Sequence, residues 1–160
     1  MTTQSETSCF LSTTSVKSVM TSHVEYLMSD DSISDALSMM IDQGLTTAPV
    51  VNSDDKCIGI LSRSDLTGTL LDEDGELSKL LDTSITFGRF VESLETCDSR
   101  KVSEMMTYEV ETIGEDQSVS DACQVMSSNK IHHLPVVDSN NKVVGMISSF
   151  DVVKAVAENG

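Results

Sequence analysis

The stretch from Val16 to Leu70 recurs from Val102 to Val156. With a shift of 86 residues and no gap, 19 of the 55 paired positions are identical, among them Met20/Met106, Thr21/Thr107, Ser34/Ser120, Asp35/Asp121, Pro49/Pro135, Gly59/Gly145, Ser62/Ser148 and Asp65/Asp151. A gapless repeat of this length leaves no room for two different topologies. A unit of about 55 residues is also marginal by itself, because so short a chain buries too small a fraction of its surface. The two copies are therefore expected to share an interface.

Each copy reads as β-α-β-β-α. A short extended segment (24–28; 110–113) leads to Ser32 or Ser118, placed where an N-cap oxygen would satisfy free helix amides. Asp35 and Asp121 follow at the third position, a variant of the capping box that also sets negative charge near a helix N-terminus. Ile33, Leu37, Met40 and Ile41, and in the second copy Val119, Cys123 and Met126, recur at helical spacing and read as core faces. Two strands follow in each copy, 48–51 with 57–61 and 134–137 with 143–147. Polar turns (NSDDK, DSNNK) of the kind hairpins use join them. The last piece, from Ser62 or Ser148, is helical, with Val152, Val153 and Val156 on one side in the second copy.

The chain thus divides into residues 1–14, polar, Ser/Thr-rich and expected to be flexible; the first copy, 15–71; a connector, 72–101; and the second copy, 102–160. The connector carries Leu77, Leu80, Leu81, Ile85, Phe87, Phe90, Val91 and Leu94, too many apolar groups for a free linker. It is expected to be partly helical and packed on the pair or on another subunit. The surplus of apolar faces predicts a homodimer.

Charge narrows the function. The net charge is −16 and the ten basic residues are scattered, which argues against nucleic acid and anionic membrane as partners. Cys9, Cys57, Cys97 and Cys123 have neither C-x-x-C spacing nor a disulfide framework, so reduced thiols are expected and no metal site. No stretch approaches the roughly 18 apolar residues of a spanning helix, and the N-terminus lacks a basic, apolar signal pattern. A soluble, cytoplasmic protein is expected.

The chemistry concentrates at one repeated point, GILSRSD (59–65) and GMISSFD (145–151). In each, a strand ends at serine and a helix begins after it. Amides at a helix start attract anions, a serine hydroxyl beside them can donate to a phosphate or ribose oxygen, and an aspartate three residues on can accept from ribose hydroxyls. The same Ser-x-x-Asp pattern is also a plain N-cap. Recurrence of the pattern in register, each time after a glycine-containing strand, favours a nucleoside phosphate site.

Three motifs in order, V-x-x-h-M-T (h apolar), a P-V-V strand and G-h-h-S-x-x-D, occur twice, over Val16 to Leu70 and Val102 to Val156. In this the chain resembles the tandem CBS domain, or Bateman module. The resemblance implies an α/β (α+β) fold of two pseudo-twofold-related repeats forming one disc-like module, with up to two clefts between them. It also implies a regulatory module that binds an adenosine-containing ligand (AMP, ATP or S-adenosylmethionine) and signals to a partner protein. Carried over by position, Ser62 and Asp65 belong to one cleft and Ser148 and Asp151 to the other. Residues after Thr21 and Thr107, and those before Pro49 and Pro135, would line the base and phosphate sides.

His132 and His133 stand at the entry to the second P-V-V strand, where the family often has His or Arg facing a phosphate. Phosphate contact, polar packing and metal ligation are all open to them, though neighbours entering a strand point different ways and chelate poorly. Thr46 and Thr47 take their places in the first copy. Basic groups near the clefts are few, Arg63, Lys130 and Lys17. A triphosphate would meet an unfavourable long-range potential, although screening over about 8 Å leaves local contacts to decide. A mononucleotide or S-adenosylmethionine, with its sulfonium charge, is easier to accommodate. No Ser/His/Asp order, Gly-rich phosphate loop, paired carboxylates or metal cluster suggests turnover, so the chain is read as not an enzyme and as needing no catalytic cofactor. The competing reading is an oligomerisation or scaffold domain with empty clefts.

Overall fold

The computed structural model describes residues 4–66 and 100–159. In chain order the elements are α1 (Gln4–Thr13), a 3-10 turn (Val16–Ser18), β1 (Thr21–Ser22), β2 (Leu27–Met28), α2 (Ile33–Asp42), β3 (Thr47–Val51) and β4 (Cys57–Ser62), with residues 63–66 helical. They continue with α3 (Val102–Met105), β5 (Thr107–Tyr108), β6 (Ile113–Gly114), α4 (Val119–Asn129), β7 (His133–Val137), β8 (Val143–Ser148) and α5 (Ser149–Asn159). Both copies carry the expected β-α-β-β-α order, making a mixed α+β fold. The connector lies almost wholly outside the described residues.

Two sheets of four strands form, ordered β1-β8-β7-β6 and β2-β3-β4-β5. In the first, β7 runs antiparallel to β8 and parallel to β6. Pro135 is tolerated there because β6 pairs only with Val136 and Val137, which leaves the proline's other edge without a ladder to donate to.

The two-residue strands β1 and β5 escape the sequence reading, and they change how the copies are cut. β1 of the first copy pairs with β8 of the second, Thr21 opposite Met146, while β5 of the second copy pairs with β4 of the first, Thr107 opposite Ile60. The chain accordingly forms two compact units. Among the described residues, one holds the chain up to Glu25, Asp54–Cys57 and everything from Val110; the other holds Tyr26–Ser53 and Ile58–Glu109. Each unit takes the opening segment of the opposite copy.

The cores record the same exchange. Val16, Ile113, Val119, Ala122, Met126, Leu134, Val136, Ile147 and Val152 fill the first unit, and every one has its counterpart 86 positions away in the second: Val102, Leu27, Ile33, Ala36, Met40, Ala48, Val50, Leu61 and Leu66. Matching backbone bonds hold the exchanged segments. Val16 N–H donates to Gln117 O (2.8 Å) and Lys17 N–H to Glu115 O (2.9 Å), as Val102 N–H donates to Asp31 O (2.9 Å) and Ser103 N–H to Ser29 O (3.0 Å).

The repeated glycine has a physical reason in this pairing. A Cβ on Gly145 would lie 2.6 Å from the carbonyl oxygen of Thr21, and one on Gly59 would lie 2.5 Å from that of Thr107. Only a residue without a side chain lets β1 and β5 close onto their sheets.

Residues 4–13, expected to be flexible, form α1, which lies against α4. Leu11 explains the difference: it packs on the first unit's core, and tertiary burial of one apolar side chain outweighs a weak local pattern.

Candidate functional site

The Ser-x-x-Asp arrangement occurs at four helix starts, and three of them share one full geometry. Ser148 N–H and Oγ–H both donate to Asp151 Oδ2 (2.8 and 2.7 Å), and Asp151 N–H donates back to Ser148 Oγ (3.2 Å). Ser62 and Asp65 repeat this at 2.7, 2.6 and 3.2 Å. Ser118 and Asp121 do so at 3.0, 2.7 and 3.1 Å, the two bonds from Ser118 holding the Asp121 carboxyl below the usual carboxylate range. At Ser32, Oγ–H donates to Asp35 Oδ2 (2.8 Å) and Asp35 N–H returns the bond (3.1 Å). The motif is therefore a capping box first. What separates a ligand site from a cap is the surroundings of the second carboxylate oxygen.

At Asp65, Oδ1 accepts from Thr107 Oγ–H at 3.1 Å. At Asp151, Oδ1 accepts no hydrogen bond among the described residues, and the side chain lines a cavity of about 480 Å³. Thr21, the repeat partner of Thr107, lines that cavity too. So do Phe10 and Thr14 from α1 and its sequel, and Lys154 and Glu158 from α5. Every lining residue belongs to the first unit. Lys154 and Glu158 stand 3.9 Å apart.

The histidines part company, His133 opening β7 and His132 lying just before it. His133 lies opposite Ser148 across β7 and β8 and is half-buried; burial, then the neighbouring His132 charge, hold it below the ordinary histidine range, against an opposing pull from the Asp151 carboxylate. His132 faces elsewhere. With Lys130, Cys123, Met126 and Val152 it lines a second cavity of about 440 Å³ beside α4 and α5. Lys130 and His132 thus line this second cavity, and His133 lines neither, so the three do not gather in the Asp151 cavity as expected from sequence. The His132 carbonyl still serves the site, accepting from Ser149 N–H at 3.0 Å, as the Thr46 carbonyl accepts from Arg63 N–H at 3.0 Å.

Of the other basic candidates, Arg63 is exposed at the start of its helical turn, and Lys17 is engaged by Glu115 at 2.7 Å. Phe10, Thr14, Lys154 and Glu158 had no motif to announce them. Among the described residues no group of three His, Cys, Asp or Glu could hold a metal ion, and no helix is long and apolar enough to cross a membrane.

A mixed sheet with an exchanged opening strand and a capped aspartate over a cavity defines a paired-repeat module. The chain belongs to the CBS domain family, whose model matches residues 16–76 and 102–158. It is 28% identical over 137 residues to the uncharacterized protein MJ1426 of Methanocaldococcus jannaschii, covering 79% of this chain and 82% of that one. It is also 28% identical over 147 residues to a homoserine O-acetyltransferase of Methanococcus vannielii, of which it spans only 26% while 92% of this chain is covered. Among solved structures it is similar to CBSX2 of Arabidopsis thaliana in complex with AMP (TM-score 0.69, 22% identity, 91% of this chain and 98% of that one). It is similar also to the CBS domain pair of MJ0100 in complex with 5′-methylthioadenosine and S-adenosyl-L-methionine (TM-score 0.64, 23% identity, 92% and 98%).

Proposed function

We propose that the protein is a regulatory, cytoplasmic ligand-sensing module rather than an enzyme, that it binds an adenosine-type compound at Asp151, and that it passes the occupancy of that site to a partner protein. One observation carries the reading: Asp151 uses Oδ2 for the helix cap, its Oδ1 accepts no hydrogen bond among the described residues, and the side chain lines a cavity of about 480 Å³, a volume suited to a small molecule. Thr21 supplies a hydroxyl to the same lining, and Lys154 supplies a positive charge. Asp151 and Glu158 outnumber Lys154 in the lining, so AMP or S-adenosylmethionine suits the cavity better than ATP. The complexes of CBSX2 and of MJ0100 support this class of ligand.

His133, beside Ser148, is the candidate phosphate contact of this site. Ser62, Asp65, Arg63 and Thr107 form its lesser counterpart, with Asp65 already engaged by Thr107. Phe150 and Val153, 73% and 63% exposed on α5, suit a homodimer contact and favour oligomerisation as a second role. Thermal melts with adenosine, AMP, ATP and S-adenosylmethionine test the reading. Ligand at 100 times its Kd stabilises by about 2.7 kcal/mol. A panel that leaves the melt unmoved leaves only the scaffold role.

A further inference from the structure

We propose that helix α1, which precedes the first repeat, completes the Asp151 site, and that Phe10 is the surface on which the ligand's purine base stacks. This rests on the adenosine reading above and adds to it a residue outside the family match, which begins at residue 16.

Phe10 and Leu11 divide the labour of α1. On a helix, neighbours point about 100° apart, so a residue next to a buried one looks along the surface rather than into the core. Leu11 packs on the first unit's core, and Phe10, half-buried, lines the cavity together with Asp151 and Thr21. The segment after the helix is fixed: Val119 N–H donates to Thr14 O at 2.9 Å, and Ser15 bridges Ser118. The position of Phe10 over the cavity is thereby tied to α4 and not left to a free terminus.

The chemistry of the lining points to the role. Thr14, Ser18, Thr21, Asp151, Lys154 and Glu158 offer hydroxyls and charges suited to a sugar and its substituents. A base needs a flat apolar wall, and among the described residues Phe10 is the only aromatic side chain in the lining. The chain has four Phe, two Tyr and no Trp, so an aromatic face at this point is not a by-product of an aromatic-rich surface.

The test uses the full chain, with adenosine and AMP as probes. Removing an aromatic stacking partner weakens base binding by about five- to a hundred-fold. Phe10→Ala should show that loss by calorimetry, and Phe10→Leu, which keeps the packing volume but not the ring, should show much of it. Phe10→Trp introduces the sole tryptophan of the chain. The emission of that indole should be quenched on titration with adenosine, with a midpoint matching the calorimetric Kd, and this readout stands even if Phe10→Ala fails to fold. Wild-type binding that persists unchanged in Phe10→Leu, or an indole emission in Phe10→Trp indifferent to bound adenosine, overturns the inference and leaves the Asp151 site standing. A wild-type chain that binds neither probe overturns both.

Discussion

Replacing Asp151 and Asp65 by alanine separates capping from binding, because the two readouts should rank the variants in opposite orders. Each carboxylate accepts from the amide and hydroxyl of its own serine through Oδ2. Loss of such a cap costs about 1–2 kcal/mol. Asp65 also accepts from Thr107 at 3.1 Å, an exposed bond worth roughly 0.5 kcal/mol, so its removal costs more. For a chain of this size each kcal/mol lowers Tm by about 2–4 °C. Asp151→Ala should melt about 2–8 °C below wild type, and Asp65→Ala about one or two degrees lower still. Binding should run the other way. Loss of a carboxylate that accepts from two ribose hydroxyls costs about 1.5–3 kcal/mol, roughly ten- to a hundred-fold in affinity. Calorimetry with AMP should find that loss in Asp151→Ala and a small change in Asp65→Ala. Wild-type affinity in Asp151→Ala would refute the site, and a larger loss in Asp65→Ala would move it to the second unit.

Gly145→Ala sets a methyl group 2.6 Å from the Thr21 carbonyl oxygen and 2.7 Å from Met20 Sδ; denaturant melts should show a loss of about 1–3 kcal/mol, and calorimetry weaker adenosine binding as Thr21 is displaced. Lys130 holds φ 56° where the first copy has Gly44 at φ 64°, so Lys130→Gly should raise stability by about 0.5–1 kcal/mol, read as a Tm increase. His133 lies below its ordinary value of 6.5 chiefly through burial, so the unfolded chain takes up the proton first. Its contribution is present above that ordinary value and is lost as pH falls toward the depressed folded value. Tm should therefore drop on acidification from about pH 6.5, and His133→Gln should flatten that part of the profile while leaving the carboxylate-driven loss at lower pH.

Much of the fold was legible because the repeat doubles each local signal. Ser32 and Ser118 cap α2 and α4 as their spacing requires, and both hairpins fall within one residue of the expected strands. Two-residue strands carry no periodicity, so β1 and β5 could be found only through their partners, and the one trace they leave in sequence is the glycine each approaches. The site was half legible. Ser148 and Asp151 stand where the motif places them, while Lys130 and His132 lie in the turn between α4 and β7, where Lys130 takes a left-handed φ of 56°, and line another cavity. Phe10 was hidden since the ten-residue helix that carries it has little amphipathic pattern and is held by packing against α4.

The shared and the changed positions between the copies then acquire different meanings. Left-handed backbone recurs in pairs, His23 with Glu109, Asp55 with Asn141 and Gly44 with Lys130, although none of these pairs keeps its side chain. The repeat constrains conformation there, not chemistry. At the repeated Ser-x-x-Asp sites the reverse holds: serine and aspartate are kept, and at Asp65 and Asp151 what the exchanged strands bring beside them differs. Thr107 donates to Asp65 and occupies its second oxygen, whereas Asp151 shares a cavity with the equivalent Thr21 and the α1 side chains. On the proposed reading, a duplicated cap becomes a binding site in one unit through its neighbours rather than through its motif. Thr107→Val follows as a probe of that logic: removing the Thr107 hydroxyl should leave Asp151-dependent affinity unchanged, and adenosine binding that instead doubles in stoichiometry would show that the Thr107 bond helps keep the second unit from binding.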